Sequence, residues 1–226
     1  MEAKTARSEL TQSAIVDVAL EMARLDGLDS LSIGEVAKRL NLSKSGVFSR
    51  IGSREALQCA VLDAFEKTFQ QEVILPALRE PRGLPRMDAM VRGWLGRVDG
   101  PHGNCLYVAG AFEYDDRDDA MRDRLLDGVR RWRATLRRTL VQAQDAGQVR
   151  EDADLDQLIF ELDGLFTALV REVRFLRTPG ATDRAWTSYR RLMAPVLIPA
   201  GSAAAAGVAP GSQASPASPA SPASPA

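Results

Sequence analysis

The stretch SIGEVAKRLNLSKSGVFSRI, residues 32–51, leaves this chain little conformational choice. Ser32 is followed three residues later by Glu35, a capping box that answers the orphan N–H groups of a helix start. Ile33, Val36, Ala37 and Leu40 then fall at helical spacing and form one apolar stripe about two turns long. Asn41 breaks the run with a residue that tolerates the left-handed conformation of a helix end. Ser43 caps a second short helix over residues 44–50, with Val47 and Ile51 facing inward. Two short helices on so tight a turn make a helix-turn-helix, here about residues 31–50, whose second helix fits the major groove of duplex DNA.

The charge of this stretch agrees. Between residues 36 and 54 stand Lys38, Arg39, Lys44, Arg50 and Arg54, with no acid among them, and neutralising phosphates is where DNA affinity begins. A basic run alone is as consistent with a solvated face. The small residues Ser45 and Gly46 at the start of the second helix add that its backbone can come close to a groove.

These residues resemble the DNA-binding domain of the tetracycline-repressor (TetR) family. Ser32 stands where that family opens its second helix with Thr or Ser, Ala37 matches its internal Ala, Phe48 its helix-three aromatic, and Arg54 in GSREAL the basic residue that opens its fourth helix. The chain departs from the pattern at Asn41, where Gly is usual, and at Phe48, which lacks the hydroxyl of the family's Tyr. The resemblance implies an all-α fold of about nine helices, a homodimer, and a repressor released from a palindromic operator by a small molecule. It implies phosphate contacts from Ser32 and Arg54, base contacts from Lys44, Ser45, Gly46 and Ser49, and Arg50 and Phe48 on the same surface.

The net charge of −1 means that affinity for nucleic acid must come from a local patch. No apolar run is long enough to span a membrane, and the N-terminus lacks the apolar core of a signal peptide. Two distant cysteines, Cys59 and Cys105, make no disulfide framework, so a cytoplasmic, nucleoid-associated bacterial protein is expected. Residues 1–7 read as a flexible arm and 8–68 as the DNA-binding domain. Residues 69–198 read as a helical effector-binding and dimerisation domain, and 199–226, built only of Ala, Gly, Ser, Pro, Val and Gln, as a disordered tail. The first helix is expected over 8–26, and a long linking helix over 54–78, with Pro76 in its last turn. Further helices are expected over 104–114, 120–146, 155–176 and 183–197.

Chemistry is scarce. The acidic run 113–119 lacks the Gly and terminal Glu of a calcium loop and carries Arg117 in its middle, so it reads as a helix-capping loop. His102, the only histidine, sits in a Pro/Gly turn with no nucleophile motif, and no enzyme, cofactor or metal site is expected. Cys105 falls on an apolar stripe, where a thiol is more often a small buried hydrophobe than a redox sensor. Met90, Trp94, Cys105, Tyr107, Phe112, Trp132 and Phe166 are candidates to line an apolar effector pocket; each taken singly fits a packed core as well. Phe160, a further aromatic in that set, fits better with Leu165, Leu169, Val173 and Leu176 and the last helix, as a four-helix contact with a second copy. The competing reading from another class is a helical small-molecule-binding or enzymatic bundle with a vestigial helix-turn-helix.

Overall fold

The structure is a computed structural model. It describes residues 2–100 and 103–199, with side-chain surroundings from Gln12 onward. All but the first residue of the expected tail, and His102, lie outside those residues.

The chain is all-helical. Its helices are α1 (Glu2–Asp26), α2 (Ile33–Arg39), α3 (Lys44–Ile51), α4 (Arg54–Phe69), α5 (Leu75–Leu78), α6 (Leu84–Asp99), α7 (Leu106–Glu113), α8 (Ala120–Asp145), α9 (Leu155–Arg171) and α10 (Ala181–Met193). Among the described residues the only β-pairing is an isolated antiparallel bridge, Val149 to Leu197, which closes one end of the bundle. Helix α1 begins before the expected start at Ser8: EAKTARSEL contains neither Gly nor Pro and favours helix throughout.

Serine and aspartate set the helix starts. Ser32, Ser43 and Ser53 each accept a hydrogen bond from the backbone N–H three residues on, at 3.2, 3.0 and 3.1 Å. Asp119 and Asp154 do the same for α8 and α9. Asn41 adopts φ 52°, and the Leu42 N–H returns to the Ala37 carbonyl at 2.9 Å while that of Asn41 returns to Lys38. This is the Schellman ending that a left-handed residue permits.

Helices α4 and α5 form one rod, as expected for 54–78, except that residues 70–74 widen into a π turn. Proline explains it. Pro76 has no N–H to give, and its ring would strike the carbonyl four residues back; an extra residue in the turn relieves both. A second π turn, Glu172–Leu176, ends α9.

The head packs α1, α2 and α3 against the start of α4 around Ile15, Ala19, Leu28, Leu31, Val36, Val47, Leu57 and Val61, all at most 1 % exposed. The second core lies between α4, α6, α8 and α9, around Phe65, Trp94, Leu136 and Leu162. Tyr189 of α10 donates to Asp88 of α6 at 2.7 Å, and Arg92 stacks on Trp186, so α10 closes this bundle from the α6 side.

Candidate nucleic-acid interface and core cavity

Helix α3 is pinned by one side chain and offers the rest outward. Val47 is fully buried, whereas Lys44, Ser45, Phe48, Ser49 and Arg50 are exposed. Gly46 has a local reason beyond smallness. A Cβ there would lie 2.9 Å from the Ser43 hydroxyl oxygen that caps the helix, so a larger residue would disturb the cap. Ser49 and Arg50 both donate to the Gly46 carbonyl, at 3.0 and 2.7 Å. Arg50 thus lies back along α3, while the Lys44 ammonium has no acidic partner among the described residues. Phe48 is 55 % exposed, an unusual cost for a large aromatic.

Two sequence-predicted contacts fall in different settings. Ser32 is half-buried, and its oxygen accepts the Glu35 N–H while its proton remains free. Arg54 is exposed, with part of its guanidinium engaged. Its guanidinium donates to the Leu31 carbonyl at 2.9 Å and to the Asp29 carboxylate at 2.7 Å, and also to the Asp29 carbonyl. It ties the α1–α2 loop to the start of α4 through Nε and one Nη, with its side chain still 42 % exposed.

Asp29 is shared with the second domain. Arg117 reaches its other oxygen at 2.8 Å, and the Asp29 N–H donates to Glu113 at 2.9 Å. The two guanidiniums hold the Asp29 carboxyl below its ordinary range, with the Arg117 hydrogen bond the largest cause. Around this point the contacts continue. Gln58 donates to both the Leu28 carbonyl and the Tyr114 hydroxyl. Asn104 and Arg174 donate to the carbonyl at the end of α1, that of Arg24. The acidic loop therefore carries two duties: Asp119 caps α8, and Glu113 with Arg117 grips the head. Among the described residues no three of His, Cys, Asp or Glu gather as a metal would need.

The second domain holds a cavity of about 170 Å³ between α6, α7, α8 and α9. Six of the seven residues singled out for an effector pocket line it: Trp94, Cys105, Tyr107, Phe112, Trp132 and Phe166. Met90 does not. It is buried one turn before Trp94, where its sulfur faces the Thr139 hydroxyl. Phe112 is 68 % exposed and stands at the rim. Trp94 and Phe166 lie with ring centroids 4.2 Å apart. The Cys105 thiol is 2 % exposed and burial pushes its pKa up; it remains a neutral packing group, without the exposed thiolate that a redox sensor needs. Sequence reading missed Asp163 on this wall. The sequence offered no distinguishing signal, since Asp156 and Glu161 stand on the same helix.

The Mycobacteroides abscessus protein described as the DNA-binding transcriptional repressor TetR is 31 % identical over 161 residues, spanning 70 % of this chain and 80 % of the relative. The chain belongs to the TetR family. The model of the tetracyclin repressor-like C-terminal domain matches residues 83–189. A TetR regulator from Chloroflexus aurantiacus superposes with a TM-score of 0.77 at 20 % identity, covering 85 % of this chain and 98 % of the other. A TetR-family regulator from Agrobacterium tumefaciens gives 0.73 at 13 %, covering 84 % and 100 %. As a TetR-family member the chain is a DNA-binding transcriptional regulator, of a family that is in general non-enzymatic. No helix among the described residues is long and apolar enough to cross a membrane.

Proposed function

We propose that this TetR-family chain is a repressor that binds a palindromic operator as a homodimer and leaves it when a small molecule enters the second domain. The observation that carries this is α3: one buried anchor, Val47, and an outward face of Lys44, Ser45, Phe48, Ser49 and Arg50 with no acid on it. Lys44, Ser45 and Ser49 are assigned to base edges, Arg50 to a base or the backbone, and the free Ser32 proton to a phosphate. Gly46 lets the helix approach. Phe48 packs against the sugar–phosphate wall through its apolar face. Arg54 fixes Asp29 and keeps an exposed edge for a phosphate.

One short helix reads too few bases to specify an operator, so two copies are required. Helices α9 and α10 support that pairing. Phe160, Phe175 and Leu176 are exposed there, beside a groove lined by Leu165, Leu169, Ala185 and Leu192. The effector reading rests on the aromatic cavity. Its wall α7 ends in Glu113, next to Tyr114, the residues that hold Asp29 and Gln58 of the head. A ligand that shifts α7 therefore shifts the head. A cytoplasmic, nucleoid-associated location follows from this function.

The test is selection of bound fragments from random or genomic DNA by the purified full chain, followed by footprinting. The expected result is a protected palindrome with half-sites about 34–36 Å apart, or a multiple. Footprints without two-fold symmetry would remove the dimeric repressor.

A further inference from the structure

The core cavity has a chemical character that narrows its ligand. Trp94, Tyr107, Trp132 and Phe166 surround it, with Phe112 at the rim, and Asp163 is the single ionic side chain among those lining it. No Lys or Arg is among the residues that line it. Asp163 is half-buried, and burial pushes its carboxyl above the ordinary range, partly offset by Arg133. That arginine approaches to 3.2 Å, but its own side chain is 44 % exposed, so it can swing into solvent. The indole N–H of Trp132 is buried without an acceptor.

Resting on the reading of this cavity as the effector site, we propose that it takes a small organic ammonium ion, held over the aromatic faces with its charge beside Asp163. Aromatic rings present the negative face of a quadrupole, which attracts a cation and is strongest for Trp. An anionic ligand would meet Asp163, whose partner Arg133 is not among the lining residues. A neutral apolar ligand would fill the space yet leave the buried carboxylate with only its exposed partner. The volume suits a compact molecule: a cavity of about 150 Å³ already accepts benzene.

The experiment uses the full chain and two isosteres that differ only in charge. Benzyltrimethylammonium and neopentylbenzene are titrated against intrinsic tryptophan fluorescence and against a bound operator fragment. The expected result is saturable quenching by the ammonium, with a Kd lower by roughly tenfold or more than that of the hydrocarbon, together with release of the operator. In Asp163→Asn the two compounds should come within about threefold of each other, a convergence produced by weaker ammonium binding alone. Equal or tighter binding of the hydrocarbon, or a charge preference that survives Asp163→Asn, overturns the inference. If the hydrocarbon still binds and releases the operator, the effector cavity stands and only its cation preference falls. Failure of both compounds to bind removes the cavity reading and the inference together.

Discussion

Four of the seven arginines of α8 are paired with acids, whereas most cations of α2 and α3 are not. On α8, Arg124 pairs with Asp63, Arg131 with Glu66, Arg133 with Asp163 and Arg137 with Asp156. Each bond reaches a neighbouring helix, so α8 is laced to α4 on one side and α9 on the other. In the head, Lys38, Lys44 and Arg50 have no acidic partner among the described residues, and Arg39 comes only within 3.9 Å of Asp26. A guanidinium already beside a carboxylate brings little net charge to a phosphate. An unpaired cation carries counterions that DNA can release, and that release drives binding. The same residue type thus serves assembly in one domain and association in the other. A composition that is nearly neutral overall hides the division.

The largest effect expected from this contrast is on the head. Lys44→Ala combined with Arg50→Ala should weaken operator binding by about 100-fold or more, since each lost base contact costs about 1–3 kcal/mol. Both side chains lie outside the core, so the melting temperature should stay within about 1–2 °C of the parent. Gel shifts beside thermal denaturation measure both. Retained operator binding would show that α3 does not read the DNA.

Gly128→Ala probes the inner face of α8, which the ion pairs serve to position. A Cβ at that point would lie 2.2 Å from the Tyr107 ring. The ring has little room to yield, because its hydroxyl donates to Glu66 at 3.1 Å and Phe65 meets it edge-on at 5.1 Å. Overpacking of this kind costs about 1–3 kcal/mol, or ~2–4 °C in melting temperature for each kcal/mol in a chain of this size. Since Tyr107 also lines the cavity, ligand binding should weaken as well. A variant as stable as the parent would show the α7–α8 contact to be looser than described.

Arg131→Ala should do far less. Its partner Glu66 keeps the Tyr107 hydroxyl, and an exposed ion pair contributes about 0–1 kcal/mol. Operator affinity and its dependence on salt should be unchanged, in contrast to the head variants. A reduced salt slope would mean that α8 contributes to the DNA surface and that the two regions are not distinct in the way described.

How much of this was legible in the chain depends on the range of each interaction. The caps at Ser32, Ser43 and Ser53, the Asn41 turn and the buried Val47 are local, set by neighbours within four residues, and could be read directly. The aromatic wall was readable because large apolar residues at helical spacing must face a core. Met90 went astray because spacing fixes a face but not the neighbour across from it, here Thr139 of α8. The tie made by Arg54 was hidden for the opposite reason. A basic residue at a helix start reads as a phosphate ligand, and its partners at Asp29 and Leu31, some two dozen residues earlier, come beside it only in the fold. Asp163 was passed over because α9 also carries Asp156 and Glu161, and nothing local marks which of the three is half-buried.

Arg54 also shows that the contrast between domains has an exception inside the head, and pH tests it. Asp29 joins Arg54 of the head to Arg117 of the second domain, and both lower its carboxyl pKa. A carboxyl depressed on folding stabilises the native state at any pH above its unfolded value, near 3.8, and that contribution is lost as pH falls further through the folded value. Asp163 has the opposite sign: its raised pKa makes the folded state the better proton acceptor, so its cost diminishes as pH falls toward the unfolded value. Asp29→Asn should therefore flatten the acid limb of a stability–pH curve below about pH 4, whereas Asp163→Asn should steepen the net loss just above it. Both carboxylates are partly exposed, so the changes are small, and they are best read as differences between variants across a series of denaturant midpoints. If Asp29→Asn leaves the acid limb untouched yet uncouples ligand binding from operator release, the Arg54–Asp29–Arg117 bridge serves communication between the domains and adds nothing to their stability. A variant that loses both would make the bridge part of the assembly, akin to the paired arginines of α8.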